Sequence, residues 1–213
     1  MSGGVRVGKA SFGPEQPESF SFTPENLEKA AKIIAKYPPG RQQSAVMPLL
    51  FLAQRQNDNW LPRAAMDAVA DMLGMPRIRA YEVATFYSMY NLQPVGKHFI
   101  EICTTTPCWL MGSDGIVEAC RRKLGISPGE TTPDGQFTVV EVECLGACVN
   151  APMVQIEDEY YEDLTPERME AMIDALRTGK PIQPGSQAGR RGAQAVTGPT
   201  SLHEVAKAAG VES

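Results

Sequence analysis

The sequence lacks the features of membrane-spanning, secreted and nucleic-acid-binding proteins. Among its 213 residues no apolar run approaches the roughly 18 residues that a spanning helix needs. Its first twenty residues have neither the apolar stretch of a signal peptide nor the arginine content of an organellar presequence. With a net charge of -5, it has no basic patch of the kind that binds phosphate backbones. We therefore expect a soluble, cytoplasmic protein that binds no nucleic acid and does not insert into a membrane.

The sequence also lacks the glycine-rich motifs that bind nucleotides. It has no G-x-G-x-x-G after a predicted strand and no G-x-x-x-x-G-K phosphate loop. No recognisable device for binding a dinucleotide is therefore present. Because 43% of the residues are hydrophobic, the chain can nevertheless form a folded core.

Cysteine is scarce but clustered. Four of the five cysteines form two close pairs, with four residues inside the first pair, three inside the second and 35 between the pairs. These are Cys103 with Cys108 and Cys144 with Cys148. An odd number of clustered cysteines argues against a disulfide framework and favours reduced thiols. Four thiolates select zinc or an iron-sulfur cluster, and this spacing alone fits either.

The residues around the pairs favour a cluster without excluding zinc. Residues 104–107 (TTTP) carry groups that can donate hydrogen bonds to sulfur, and residues 145–147 (LGA) are mostly small, with a glycine that can take positive φ. The fifth cysteine, Cys120, shares a helix face with apolar neighbours, which indicates a buried residue and not a ligand. The two histidines, His98 and His203, stand alone.

The first part of the chain has the periodicity of helices. Apolar residues recur at helical spacing in four segments, each of which starts near a proline or a capping hydroxyl. These segments start at Thr23, Ser44, Pro62 and Pro76. Pro48 predicts that the regular part of the second helix begins there or is bent. We expect a flexible segment over residues 1–22 and a helical bundle over residues 23–93.

The period changes to that of strands after residue 94. A strand, a helix and a strand in this order favour a right-handed crossover with parallel strands, so that the two cysteine pairs meet at one sheet edge. The predicted strands cover residues 97–102, 137–143, 153–157 and 160–163, with helices over 112–124 and 165–176. This β-α-β-β-α order predicts a thioredoxin-like domain over residues 94–179. An extended tail over residues 180–213 follows, with a short helix after Ser201.

Several separated stretches together resemble one family. The pair Cys103-x4-Cys108 and the run CLGACVNAP, which begins at Cys144, resemble the thioredoxin-like 2Fe-2S subunit (the E-subunit family) of NADH:quinone oxidoreductase, respiratory complex I. Related subunits occur in NAD-linked hydrogenases and formate dehydrogenases. The stretches WLP at 60–62 and YEVATFY at 81–87 resemble the helical N-terminal region of the same family.

The resemblance covers about residues 20 to 180 and implies an α+β fold with a 2Fe-2S cluster. The ligands that it implies are Cys103, Cys108, Cys144 and Cys148. No residue would act as acid, base or nucleophile. The chain would place its cluster beside the FMN of a flavoprotein partner that binds NADH, and so act as an electron-transport subunit of an oxidoreductase and translocase. The isolated chain would not be catalytic.

The resemblance also implies a location and leaves alternatives. The chain would lie peripherally on the inner face of the bacterial membrane, held there by other peripheral-arm subunits of complex I. The same residues would suit the equivalent subunit of an NAD-linked hydrogenase or formate dehydrogenase. A zinc-stabilised assembly scaffold that transfers no electrons is the alternative outside the redox class.

Overall fold

The computed structural model describes residues 12–13, 16–193 and 201–210. Most of the predicted flexible segment, and parts of the predicted tail, therefore lie outside the described residues. The chain divides into two compact units, one of residues 1–97 with 129–138 and one of residues 98–128 with 139–213. The predicted division into a helical and a thioredoxin-like domain near residue 94 stays a prediction.

Among its described residues, the first unit contains four α-helices. At the start of α1 the Thr23 hydroxyl accepts a hydrogen bond from the Asn26 amide at 3.3 Å, which caps the helix. α2 packs against α1, α3 and α4, and the residues between them are fully buried, including Leu49, Leu50 and Met66. The four helices are α1 (Pro24–Ile34), α2 (Val46–Gln56), α3 (Arg63–Met72) and α4 (Arg77–Phe86).

Pro48 does not mark the start of α2; the other predicted possibility, a bend at this residue, stays a prediction. The α-helix begins at Val46, directly after a 3₁₀ turn at Gln42–Ala45, and Pro48 is its third residue. The first amides of a helix have no partner inside the helix, so a proline in the first turn removes no helical hydrogen bond.

The remaining elements form one mixed sheet with helices. The strand order in the sheet is β2-β3-β1-β4-β5-β6. β1 pairs antiparallel with β4, and β4 pairs antiparallel with β5. The strands are β1 (His98–Cys103), β2 (Glu130–Thr131), β3 (Phe137–Val142), β4 (Val154–Ile156), β5 (Glu159–Glu162) and β6 (Gly185–Ser186). The helices are α5 (Thr106–Leu110), α6 (Ser113–Leu124), α7 (Pro166–Arg177) and α8 (His203–Ala208).

The core of the second unit is built from alternate strand residues and one face of each long helix. α6 packs against α7 and β1. Thr165 caps α7 by accepting a hydrogen bond from the Arg168 amide at 3.3 Å. The fully buried side chains include Ile100, Ile102, Ile116, Ile156, Met169 and Ile173. The α+β prediction is confirmed.

The predicted tail is more ordered near its start than the sequence indicates. β6 pairs in parallel with β5, with Tyr161 opposite Gly185 and Glu162 opposite Ser186. The short helix predicted after Ser201 is present as α8. No helix in the described part of the chain is both long enough and apolar enough to cross a membrane.

Candidate metal centre

The ends of β1 and β3 deliver the two cysteine pairs to one edge of the sheet. Cys103 is the last residue of β1, and Cys144 follows two residues after the end of β3. The Thr104 amide donates a hydrogen bond to the Val142 carbonyl at 3.3 Å, so the two strands end side by side. This is the arrangement that the strand-helix-strand order predicts.

Two short helical segments supply the second cysteine of each pair. Cys108 lies in α5, a five-residue helix with Pro107 in its first turn, and Cys148 begins a 3₁₀ turn over Cys148–Asn150. The loop before that turn contains Gly146 with φ of 88°, a conformation that favours glycine. The positive φ predicted for this glycine is confirmed.

The four thiols lie as two pairs. The Sγ atoms of Cys144 and Cys148 are 3.3 Å apart, and both residues are exposed. Cys103 and Cys108 are buried and share a hydrogen bond between their side chains. The hydrogen bond with Cys144, burial and the charge of Cys144 raise the pKa of Cys148, and the charge of Cys103 in the other pair adds to the rise.

The two thiol pairs match the donors that a 2Fe-2S cluster needs. In the described part of the chain, no group of three or more Cys, His, Asp or Glu side chains is placed to hold a single metal ion. A structural zinc needs four such donors around one ion. A 2Fe-2S cluster needs two thiolates on each iron, and the two pairs provide that donor set.

The buried pair is electrostatically asymmetric. Burial raises the pKa of Cys103, but hydrogen bonds from the Thr105 hydroxyl and from the Leu145 and Thr105 backbone outweigh burial, so that its pKa is lowered. Burial, together with the hydrogen bond and charge of Cys103, raises the pKa of Cys108 to about 12. Cys103 is therefore the thiol of this pair that more readily carries negative charge.

Hydrogen bonds support the cysteine loops from outside. The Thr105 hydroxyl lies 3.6 Å from the Cys103 sulfur, and the Tyr160 hydroxyl donates to the Leu145 carbonyl at 2.8 Å. Tyr160 lies in β5 and packs against a group of buried residues, Cys103, Cys108, Ala151 and Met153. Sequence reasoning did not single out Tyr160, because nothing local connects it with a loop fifteen residues earlier.

The other candidate residues lie elsewhere. Cys120 is buried in α6, and burial raises its pKa to about 12, as suits an apolar thiol. His98 Nδ1 lies 3.7 Å from a Glu157 carboxylate oxygen, and His203 is exposed in α8. Near the site, burial raises the pKa of Glu101 in β1 to about 7.

Large apolar side chains are exposed next to the cysteines. Three follow Cys108 directly and one follows Cys148 directly, and each exposes more than half of its surface. They are Trp109, Leu110, Met111 and Val149. The indole of Trp109 donates to Asp114 at 3.0 Å, which holds the ring at the surface. We refer to these four residues as the apolar rim.

Comparisons with known proteins identify relatives of this chain. Residues 30–177 match the model of the thioredoxin-like 2Fe-2S ferredoxin family. The NADH-quinone oxidoreductase E subunit of Rickettsia bellii is 64% identical over 159 residues, which make up 75% of this chain and 95% of that protein. The mitochondrial NADH dehydrogenase (ubiquinone) flavoprotein 2 of Dictyostelium discoideum is 52% identical over 185 residues, 87% of this chain and 75% of that protein.

One similar solved structure is an NAD+-reducing NiFe-hydrogenase in its air-oxidized state. It matches 62% of this chain and 23% of its own chain, with a TM-score of 0.54 and 21% sequence identity. At that identity the likeness shows the fold alone.

Proposed function

Because this chain belongs to the thioredoxin-like 2Fe-2S ferredoxin family, we propose that it is the E subunit of an NADH-quinone oxidoreductase and carries electrons through a 2Fe-2S cluster. The observation that carries this proposal is the 64% identity to such an E subunit over 95% of that protein's length. The four thiols in two pairs at one sheet edge supply a donor set that fits the cluster. The family resemblance inferred from the sequence is confirmed.

We propose that the cluster is held by Cys103, Cys108, Cys144 and Cys148. When bound, a 2Fe-2S cluster accepts and releases single electrons. The chain's own residues bind it, orient it and stabilise the negative charge of its thiolates. The Thr105 hydroxyl and the Leu145 amide do this for Cys103. Cys144 and Cys148 are exposed, so this side of the cluster faces a partner in the assembled complex.

The oxidation of NADH belongs to a partner protein. The chain has no glycine-rich nucleotide motif. We therefore propose that FMN and NADH bind to a flavoprotein subunit, that this chain is not catalytic by itself, and that its complex lies on the inner face of the bacterial membrane.

We propose that the apolar rim is the surface on which the flavoprotein docks. Exposed apolar side chains in a group mark interaction surfaces, and these four adjoin two of the proposed ligands, Cys108 and Cys148. A partner that covers them also excludes water from the exposed thiol pair. Docking at this surface would place the flavin close to the cluster, as electron transfer requires.

The alternatives from the sequence have weaker support. The hydrogenase likeness concerns the fold, whereas the identities of 52% and 64% are to proteins named for NADH dehydrogenases. A zinc scaffold has no support from the family match, which is to a 2Fe-2S ferredoxin.

The test is anaerobic reconstitution of the full chain with iron and sulfide. We expect two irons and two labile sulfides per chain, a brown colour that bleaches with dithionite, and an EPR signal from the reduced protein. FMN and NADH-ferricyanide reductase activity should appear only when the flavoprotein partner is added. A colourless protein with one zinc per chain, or FMN bound to the chain alone, would contradict the proposal.

A further inference from the structure

We propose that Arg190 is a positioning residue for the cluster: held by Asp163, it fixes the backbone of the loop that carries Cys148 and adds a positive charge beside that loop. The proposal rests on the proposed function, because it takes Cys148 as a ligand. Arg190 lies beyond residue 177, where the family match ends. The segment after α7 therefore supports the site from outside the region that the family model matches.

The tail reaches the site by adding a strand to the sheet. β6 extends the sheet beyond β5, and the Gln187 amide donates to the Glu162 carbonyl at 2.9 Å just after the paired residues. The Ser186 hydroxyl then accepts hydrogen bonds from the amides of Ala188 at 3.2 Å and Arg190 at 3.0 Å. This turn fixes the position of the Arg190 backbone.

The Arg190 guanidinium contacts both an acid and the cluster loop. Its Nη1 donates to Asp163 Oδ1 at 2.9 Å and to the Val149 carbonyl at 3.1 Å. Val149 directly follows Cys148 in the 3₁₀ turn. The side chains of Arg190 and Asp163 are only 22% and 12% exposed, so the ion pair is shielded from solvent.

Asp163 connects the tail to the same loop through further hydrogen bonds. Its Oδ2 accepts from Asn150 Nδ2 at 3.1 Å and from the Ser186 hydroxyl at 2.6 Å. Its amide donates to the Asn150 carbonyl at 2.8 Å. Asn150 is 1% exposed and ends the turn that Cys148 begins. The peptide groups on both sides of Asn150 are thus held by one network.

The two charges of this network have opposite effects on the free energy of adding an electron to the cluster. Arg190 and Asp163 form an ion pair, and both contact the cluster loop, so removing the Arg190 cation alone leaves the Asp163 carboxylate beside that loop without its counter-charge. A cation near an anionic cluster stabilises the state with one more electron. Arg190 therefore raises the midpoint potential as well as restraining the loop.

The test compares full-length reconstituted proteins: wild type, Arg190→Met, Arg190→Lys and Lys180→Met. Methionine keeps an unbranched apolar stem but removes the charge and the donors. Lysine keeps a charged nitrogen that can donate to both acceptors, because one nitrogen makes both contacts in the wild type. Lys180→Met removes one positive charge from an exposed position in the same segment.

We expect Arg190→Met to lower the midpoint potential, change the EPR line shape and release iron to a chelator several-fold faster. Arg190→Lys should restore most of the wild-type potential, EPR line shape and iron-release rate, and Lys180→Met should match the wild type. A thermal unfolding shift in Arg190→Met with an unchanged potential and EPR spectrum would mean a purely structural role and would overturn the proposal. Should Arg190→Met fail to fold, Arg190→Gln decides by the same potential measurement.

The two proposals fail in different ways. A wild-type chain that takes up no cluster refutes the proposed function and the role of Arg190 together. A wild-type chain with a normal cluster, whose potential and iron release Arg190→Met leaves unchanged, refutes the role of Arg190 alone.

Discussion

The hydroxyl of Tyr160 donates a hydrogen bond to the carbonyl oxygen of Leu145 at 2.8 Å. On its other side, the Leu145 backbone bonds to the Cys103 sulfur and helps to lower the pKa of that thiol. A side chain of β5 therefore holds the carbonyl of the same residue whose backbone contacts a cysteine of the first pair. The hydroxyl of Tyr160 therefore links the two cysteine loops, which must lie close together to bind the proposed cluster.

Removing that hydroxyl should loosen the site without unfolding the chain. We expect Tyr160→Phe to reduce the free energy of unfolding by about 1 kcal/mol, the usual value of one hydrogen bond, and to speed iron release to a chelator. Tyr161→Phe removes the same group from the next residue of β5 and should leave iron release unchanged. Equal iron release from Tyr160→Phe and wild type would show that Leu145 is held by other contacts.

The cysteines should separate into four ligands and one core residue. Serine at Cys103, Cys108, Cys144 or Cys148 should reduce the bound iron well below two per chain, because a hydroxyl is a poor ligand for a soft metal site. Cys120→Ala should retain full iron and cost about 1 kcal/mol of stability for the buried sulfur. Iron and sulfide assays with EPR decide this. Full iron in Cys144→Ser, with loss in Cys120→Ala, would reverse the assignment.

Much of this site could be predicted because its signals are local. Cysteine spacing, the change from helical to strand period and the strand-helix-strand order place both pairs at one sheet edge. The residues that hold the cysteine loops in place, Arg190 and Tyr160, could not be predicted in this way. Arg190 contacts partners 27 and 41 residues away, and Tyr160 contacts one 15 residues away. Such contacts depend on strand register, and no pattern near Arg190 indicates that two residues of the tail will form β6.

The sequence patterns also did not predict the shortest elements. α5 has five residues, too few for a helical period to show, and β6 has two. The start of α2 could not be placed from Pro48, because a proline in the first turn of a helix and a proline that starts one look alike in sequence.

Lowering the pH should reveal how much Asp163 contributes to the free energy of unfolding. Burial raises its pKa, but hydrogen bonds from Ser186, Asn150 and Arg190 outweigh burial and lower it below the ordinary 3.8. Because the folded-state pKa is the lower one, the stabilisation is fully present above the unfolded pKa and is lost as pH falls through the folded pKa.

We therefore expect Asp163→Asn to cost about 1.5 to 3 kcal/mol at pH 7, the range for hydrogen bonds to a charged group, and progressively less below pH ~4. Asparagine tolerates the positive φ of 52° at this position, so the backbone is not strained by the change. Denaturant unfolding of the cluster-free full chain between pH 7 and pH 3 measures the difference. A cost that stays constant across this range would show that the carboxylate charge is not what stabilises the network.

Charge next to Cys144 should tune the midpoint potential. Glu143 is exposed, so neutralising it should shift the potential upward by only about 10 to 40 mV, the equivalent of 0.2 to 1 kcal/mol for a solvent-screened charge. Glu118→Gln, an exposed carboxylate of α6 that pairs with Arg121, is the control and should give no shift. An EPR-monitored redox titration measures both. A downward shift in Glu143→Gln would mean that hydrogen bonding to the cluster, and not charge, dominates there.

The apolar rim gives a prediction that separates partner docking from cluster binding. Leu110 is 70% exposed, so Leu110→Asp should leave folding and iron content unchanged. A charge buried in an apolar interface without a partner should weaken binding of the flavoprotein about 10- to 100-fold. Leu202→Asp is the matched control, because that leucine is 72% exposed outside the rim. Titration of each reconstituted chain with the flavoprotein, followed by NADH-dependent reduction of the cluster, measures affinity and function together. Equal affinity for the Leu110→Asp and Leu202→Asp proteins would place the docking surface elsewhere on the chain.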